Sequence, residues 1–449
     1  MGQKIDRTYL FERMPVGQAV RRQIIPSIAS QMVILLYNLA DTYFVGLLND
    51  AAQTAAVSLA YSVTLLMTAL ANLFAVGGAG RIAQLLGRRD RDGAREVCAV
   101  SFWFALLASA AFCVLFTLLS SPILRLCGAT DETYALACGY SRWVISVGGT
   151  FSILNTVLAN LIRADGSAFA ASMGVSAGGI INMLLDPLFV LPRFLGMGAE
   201  GAGLATAISN AAGMLILLGI IAARRRAGVV ALRPGDLRAA RRHIGRILRI
   251  GLPSAVQFLL TLVAVGALTK FMSLYDTAAV AALGIVKKLD MLPLYFSIGV
   301  ANGLLPLLAY NYSAENHERR HRIFLCGCAV AVGFSVVCVA GYEVFAPALV
   351  RIFIGDAQTI AYGTKLLRIM VLAMPMMSVC YPMITQFQAM GRMRESLICS
   401  ILRKGSLDIP LLFVLNALFP LYGCAAVQPI VDCICMIVAI YFYKKLPTA

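Results

Sequence analysis

Charge is scarce in this sequence. Asp, Glu, Lys and Arg make up 13% of its 449 residues, where a soluble domain carries about 25%. Apolar residues reach 60%, and the mean hydropathy is +0.81. A chain of this composition lacks the polar surface to stay in water. That argues against a soluble enzyme, a nucleic-acid-binding protein and a secreted disulfide scaffold. Histidine is scarce too: His243, His317 and His321 all sit in basic loops. An intramembrane enzyme with a His base or a His-held metal therefore has no candidate at depth. The chain contains no G-x-x-x-x-G-K-S/T phosphate loop, so it does not itself consume ATP. The 12 cysteines lie mostly within apolar runs. Cys326/Cys328 and Cys433/Cys435 are C-x-C pairs without a nearby His, and they read as small buried hydrophobes rather than metal ligands. No cofactor is expected beyond a coupling ion.

What is present is a series of long apolar windows. Segments free of charged residues run 23–40, 51–80, 97–124, 143–162, 166–185, 201–223, 250–269, 291–314, 323–342, 369–391 and 409–431. A helix needs about 20 such residues to cross a bilayer. The last window holds the turn residues Asn416, Pro420 and Gly423 and divides into spans near 396–418 and 423–443. The expectation is twelve transmembrane helices.

Net charge is +16, and its placement sets orientation. With the N-terminus inside, the alternate loops and both ends hold 27 of the 38 Lys and Arg residues. Arg81 to Arg95, Arg163, and Arg224 to Arg249 fall on that side. Both termini are thus expected in the cytoplasm by the positive-inside rule. Residues 1–22 read as an uncleaved, mildly amphipathic cytoplasmic segment (Lys4, Arg7, Phe11, Arg13). Residues 223–248 read as a basic linker between an N-lobe (23–222) and a C-lobe (249–443), and residues 444–449 as a cytoplasmic tail.

The two halves repeat. Pro26-Ser27 matches Pro253-Ser254 at an offset of 227, Thr54 to Val57 matches Thr277 to Val280 at 223, Gly166 matches Gly391 at 225, and Phe189 to Leu191 matches Phe413 to Leu415 at 224. Six spans per half give both copies the same orientation, a transporter architecture. The fold class is an all-α polytopic membrane protein of two pseudo-symmetric six-helix bundles.

Polar groups inside such spans are functional candidates. Asp41 lies near the outer third of the first span with no cation close in sequence. It can exchange a proton or hold Na⁺ with oxygen partners. Asn182 and Asp186 are spaced i, i+4 and share a helix face. Pro187 frees a backbone carbonyl about one turn earlier, which adds an oxygen suited to a hard cation. The second half is less symmetric. Arg403 and Lys404 precede Asp408, and Lys287 and Lys288 precede Asp290, so both groups read as structural ion pairs. Tyr37, Asn155, Asn160, Gln257, Lys270 and Asp290 are the candidates for lining a substrate cavity. The methionines Met370, Met374, Met376, Met377, Met383 and Met390 read as core.

Together these segments resemble the MATE family (multidrug and toxic compound extrusion), in particular its DinF-type bacterial branch. The matching stretches are Leu36 to Gly46, Leu161 to Gly166, Asn182 to Pro187, Gly201 to Thr206, Pro306 to Ala314 and Gln388 to Gly391. The resemblance implies ion-coupled export by alternating access of two lobes, with H⁺ or Na⁺ coupled through Asp41, Asn182 and Asp186, joined by Tyr140 and Thr206. The NorM-type branch carries a Glu eight residues after the Pro of helix 7. Here that position is Thr261, a departure that argues for coupling in the N-lobe. The implied protein is an antiporter in the bacterial inner membrane. It exports amphipathic, cationic organic compounds and works as a monomer among membrane lipids, without nucleic acid. The alternative is a flippase for lipid-linked oligosaccharide, for which Lys270, Lys287, Lys288, Arg403 and Lys404 are the available cations.

Overall fold

The structure is a computed structural model that describes residues 7–48, 50–126, 129–224 and 228–446. Lys4, Arg225, Arg226 and the last three residues of the tail lie outside the described residues. No strand occurs among the described residues, as expected where lipid offers backbone groups no partners and the helix satisfies its own.

The N-lobe comprises α1 (Val16–Gly46), α2 (Ala51–Gly87), α3 (Arg91–Leu126), α4 (Asp131–Ser141), α5 (Gly149–Ala164), α6 (Ala168–Val190) and α7 (Gly198–Ala223). The C-lobe comprises α8 (Ala240–Met272), α9 (Thr277–Ser313), α10 (His317–Arg351), α11 (Ala357–Val371), α12 (Ala373–Ala389), α13 (Met393–Ile401), α14 (Asp408–Leu418) and α15 (Tyr422–Lys444). Among the described residues nine helices are long and apolar enough to cross a membrane alone. Two further spans are bent pairs: α4, extended by a π turn at Arg142–Val147, meets α5 at 45°, and α11 meets α12 at 41°. The twelfth is broken, with α13 and α14 joined through a π turn at Leu402–Ser406 in which Lys404 leaves helical geometry. The two bends fall at equivalent places in the two halves. So do the aspartates that open α2 and α9. Asp50 accepts from the Ala52 and Gln53 amides, and Asp276 accepts from the Ala279 amide. Each satisfies N–H groups the helix cannot.

The basic linker is shorter as a connection than its charge suggests. Pro234–Ala239 forms a 3₁₀ turn, and α8 begins at Ala240, so residues 240–248 are the charged entrance to that helix. Arg163, counted above as a loop charge, is only 2% exposed. It lies in the last turn of α5 on the side facing α1, and its Nη2 donates to Ser30 Oγ at 3.0 Å. The methionines at 370, 374, 377, 383 and 390 are buried.

The lobes meet where α2 packs along α8 and α1 along α9. The backbones cross closely: a Cβ on Gly251 would stand 1.9 Å from the Leu73 carbonyl oxygen, and one on Gly77 would stand 2.3 Å from that of Ile247. These crossings lie toward the end of the bundle that holds the linker and the N-terminal segment. That segment is itself folded. Its π turn Tyr9–Arg13 buries Phe11, which stacks on Tyr310 at 4.6 Å. Tyr310 donates to Glu12 at 2.8 Å, and Arg319 donates to the Phe11 and Met14 carbonyls at 2.8 and 2.6 Å. Arg7 pairs with Asp165 at 2.9 Å. The segment therefore ties α9 and α10 of one lobe to the end of α5 in the other.

Gly251→Ala is expected to force α2 and α8 apart and to cost about 1–3 kcal/mol of stability, read as a lower melting temperature of the purified protein. Gly266→Ala on the same helix, where a Cβ meets nothing within 4 Å, should leave the melting temperature equal or higher. Equal shifts at both positions would refute the close crossing.

Candidate functional site

The N-lobe gathers its polar side chains from α1, α4, α6 and α7. Asp41 lies five residues from the end of α1 and is 8% exposed; Asp186 in α6 is fully buried. Tyr140 Oη donates to Asp41 Oδ2 at 3.3 Å. Asn182, one turn before Asp186, donates its Nδ2 to Asp186 Oδ1 at 3.4 Å and to Thr206 Oγ1 at 3.3 Å. The helix turn thus delivers the i, i+4 pair as the spacing implied. Tyr37, half-buried on α1, lies within reach of the charge of both carboxylates. Asp186 in turn feels the charge of Asp41. No Lys or Arg bears on either carboxylate among the described residues.

The cluster extends deeper through a residue that the sequence did not single out. Asn210 on α7 donates to the Thr206 carbonyl at 3.0 Å, and its Oδ1 accepts from Asn155 Nδ2 at 3.4 Å. An amide within an apolar run gives no periodic signal, and its partner Asn155 is 55 residues away. Hydropathy could flag Asn210 as polar but could not place it.

Donors and acceptors are unequal here. Asp41 Oδ1, Asp186 Oδ2, Asn182 Oδ1 and Asn155 Oδ1 are all buried without a hydrogen-bond partner. All four are acceptors. A buried acceptor without a donor costs roughly 1–3 kcal/mol. A proton, or a hard cation that prefers oxygen ligands, supplies what the cluster lacks.

The other cavity candidates are dispersed. Asn160 donates to the Thr156 carbonyl of its own helix and joins no cluster. Gln257 donates to Tyr381 Oη at 3.2 Å, and Thr261 bonds back to the Gln257 carbonyl. Asp290 is half-buried on α9 and bears on Tyr342. Lys270 is exposed in the last turn of α8, so the structure does not group it with Gln257 and Asp290. The expected pairing of Asp408 with Arg403 is also replaced. Arg403 bonds Asp432 at 2.8 Å, with both side chains buried, and Lys404 donates to Gln428 at 2.6 Å. The π turn at Leu402–Ser406 interrupts the regular helix between Arg403 and Asp408, and Arg403 finds its partner on α15 instead.

Comparison with known proteins agrees with this architecture. The MatE family model matches residues 26–188 and again residues 253–414, one match per lobe and in register with the internal repeat. The chain belongs to the MatE family of membrane transporters. It is 29% identical over 437 residues to the multidrug export protein MepA of Staphylococcus aureus, covering 97% of this chain and 95% of that protein. A solved outward-facing multidrug resistance MATE transporter of the MOP superfamily superposes with a TM-score of 0.91 at 25% identity, covering 98% of both chains. MATE structures solved in a straight and a bent conformation superpose with TM-scores of 0.90 and 0.88, each at 25% identity, and cover 98% of this chain and 98% and 97% of theirs.

Asn210→Ala removes the link between Thr206 and Asn155 and should lower stability by about 1–2 kcal/mol, read in a thermal melt. Asn210→Asp supplies the same acceptor to Asn155 and should recover part of the loss. A melt unchanged by Asn210→Ala would show that the cluster does not extend through this residue.

Proposed function

We propose that this transporter is a secondary antiporter that exports amphipathic, cationic organic compounds in exchange for H⁺ or Na⁺, with coupling through Asp41 and Asp186. The observation that carries the reading is the acceptor surplus of the N-lobe cluster. Four buried oxygens lack a donor, and among the described residues no fixed cation bears on the carboxylates. The overall likeness to multidrug export proteins supports the export half of the reading.

The sequence of events follows from charge. An ion arriving from outside binds Asp41 and Asp186 and removes the repulsion between them. Tyr140, Asn182 and Thr206 hold the carboxylates in place for that step. With the carboxylates neutralised, α1 and α6 repack at Pro26 and Pro187, where the helix ladder is already interrupted. That relatives have been solved in a straight and a bent conformation supports a change of shape between states. Substrate binds the other state more tightly, since exchange requires that ion and substrate favour different conformations. The close crossings of α2 with α8 shut one end of the bundle, which we assign to the cytoplasmic side on the strength of its basic loops. The protein then works in the bacterial inner membrane with both termini inside, as a monomer with lipid around it and without enzymatic chemistry. The lipid-linked oligosaccharide flippase is not favoured, because the cations it would need all lie in the C-lobe.

The test is efflux of ethidium from proteoliposomes under an imposed pH or Na⁺ gradient. Wild type should respond to one gradient, and that ion names the driver. Asp41→Asn should reduce the gradient-driven component by roughly tenfold or more, the scale of a coupling free energy between two sites. Gradient-driven efflux that survives Asp41→Asn would move the coupling site elsewhere.

A further inference from the structure

The C-lobe holds a second buried polar group with the opposite imbalance. Arg403 and Lys404 sit in the π turn between α13 and α14. Arg403 Nε donates to Asp432 Oδ1 at 2.8 Å, and its guanidinium lies 4.4 Å from the centre of the Tyr381 ring. Lys404 Nζ donates to Gln428 Oε1. The other charges that bear on Lys404 are Lys287 of α9 and Asp408 of α14. Three cations (Lys287, Arg403, Lys404) face two carboxylates (Asp408, Asp432), which leaves one positive charge without a counterion. An unbalanced charge inside a bundle is costly unless something pairs with it.

A cavity lies against this group. It has a volume of about 30 Å³ and is lined by Lys287, Lys404, Asp408 and Gln428 together with apolar side chains such as Leu268 and Leu412. Arg403 Nη1, Gln428 Nε2, Asp408 Oδ2 and Asp432 Oδ2 are buried without partners, and Asp408 is only 7% exposed. The space holds about two waters, so it fits a single ion or one small head group and not a whole amphipathic molecule.

We propose that this C-lobe cavity is an anion site, taking one monovalent negative group between Lys287 and Lys404, with Gln428 Nε2 as a further donor. One such group brings the local charge to zero. Asp408 also lines the cavity. By repulsion it limits the site to a single negative charge. Two sources offer this chemistry, a free halide ion or the carboxylate end of an exported compound. The second source rests on the export reading above and would extend its substrate class to acidic and zwitterionic amphipathic compounds.

The test uses the full chain in phosphatidylcholine nanodiscs and proteoliposomes. In the first arm, sodium bromide replaces sodium gluconate at constant ionic strength. A saturable rise in melting temperature is expected, lost in Lys404→Met, partly kept in Lys404→Arg and weakened in Lys287→Met. The Lys287 variant leaves the Arg403–Asp432 and Lys404–Gln428 contacts in place, which guards against misfolding at position 404. In the second arm, export of carboxyfluorescein is compared with export of ethidium. If the anion is a substrate group, both Met variants should depress carboxyfluorescein export about tenfold more than ethidium export, as expected when a buried charge loses its partner. If it is a free ion, the bromide response appears and the two dyes respond alike. No saturable bromide response in wild type, together with equal effects on both dyes, overturns the proposal; a Lys404 without its proton would then account for the charge balance. Ethidium export that fails in wild type would refute the export reading, and the bromide arm would still decide on the anion site.

Discussion

A carboxylate enclosed by apolar helices must find a donor, a cation or a proton, and the N-lobe is organised around that requirement. Asp41 and Asp186 come from α1 and α6, and the donors that meet them come from α4 and α6. Tyr140 and Asn182 cover one oxygen of each carboxylate and leave the other bare. Thr206 and Asn210 fix the amides so that their oxygens also point to no donor. The resulting deficit is what makes the cluster sensitive to an arriving ion. The C-lobe faces the same requirement with the signs reversed. There cations outnumber carboxylates, and Arg403 takes Asp432 as partner while Lys404 turns to an amide. Two copies of one structural repeat thus hold polar cores of opposite demand. A molecule with a positive and a negative end would find a complement in each.

Most of the fold was legible in the sequence because the bilayer rewards long apolar runs, and such runs stand out in any window. The repeat was legible for a related reason: short identical segments recur at nearly constant offsets, and the family model matches the same two halves. Local features that depend on backbone geometry were not. The π turns at Arg142–Val147 and Leu402–Ser406 carry no composition that separates them from ordinary helix. The second of these turns redirected Arg403 to Asp432, a residue that closes an apolar window and was passed over for that reason. Arg163 was misread in the opposite sense. A cation at the edge of a window looks like a loop charge, yet it tucks inward to Ser30.

The candidate site divides along the same line. Asn182 and Asp186 share a helix face by spacing alone, so their proximity followed from arithmetic. Asp41 stood out as a lone acid in a long apolar run. Tyr140 and Thr206 came only through resemblance to a family, since nothing local ties residues 99 positions apart. Asn210 was missed because an amide at depth attracts notice only once its neighbours are known. Lys270 was over-read: a cation at the edge of a span and one in its middle look alike until the helix end is located.

The folded N-terminal segment has a consequence for how the molecule is made. Residues 7–14 are translated well before their second-lobe partners: the Tyr310 hydroxyl that Glu12 accepts from lies 298 positions later in the chain. At synthesis rates of roughly 5–20 residues per second, the segment waits some tens of seconds for its partners. During that interval Leu10 and Phe11, almost wholly covered in the finished protein, can meet Gly166 of the first lobe, but Phe11 has no Tyr310 ring to stack on. This early segment therefore settles late, and its docking marks a chain built at least as far as α9 and α10. A chain stalled after the first lobe leaves Phe11 without its stacking partner and Glu12 without the Tyr310 hydroxyl, a signal of incomplete assembly that the arrival of α9 removes.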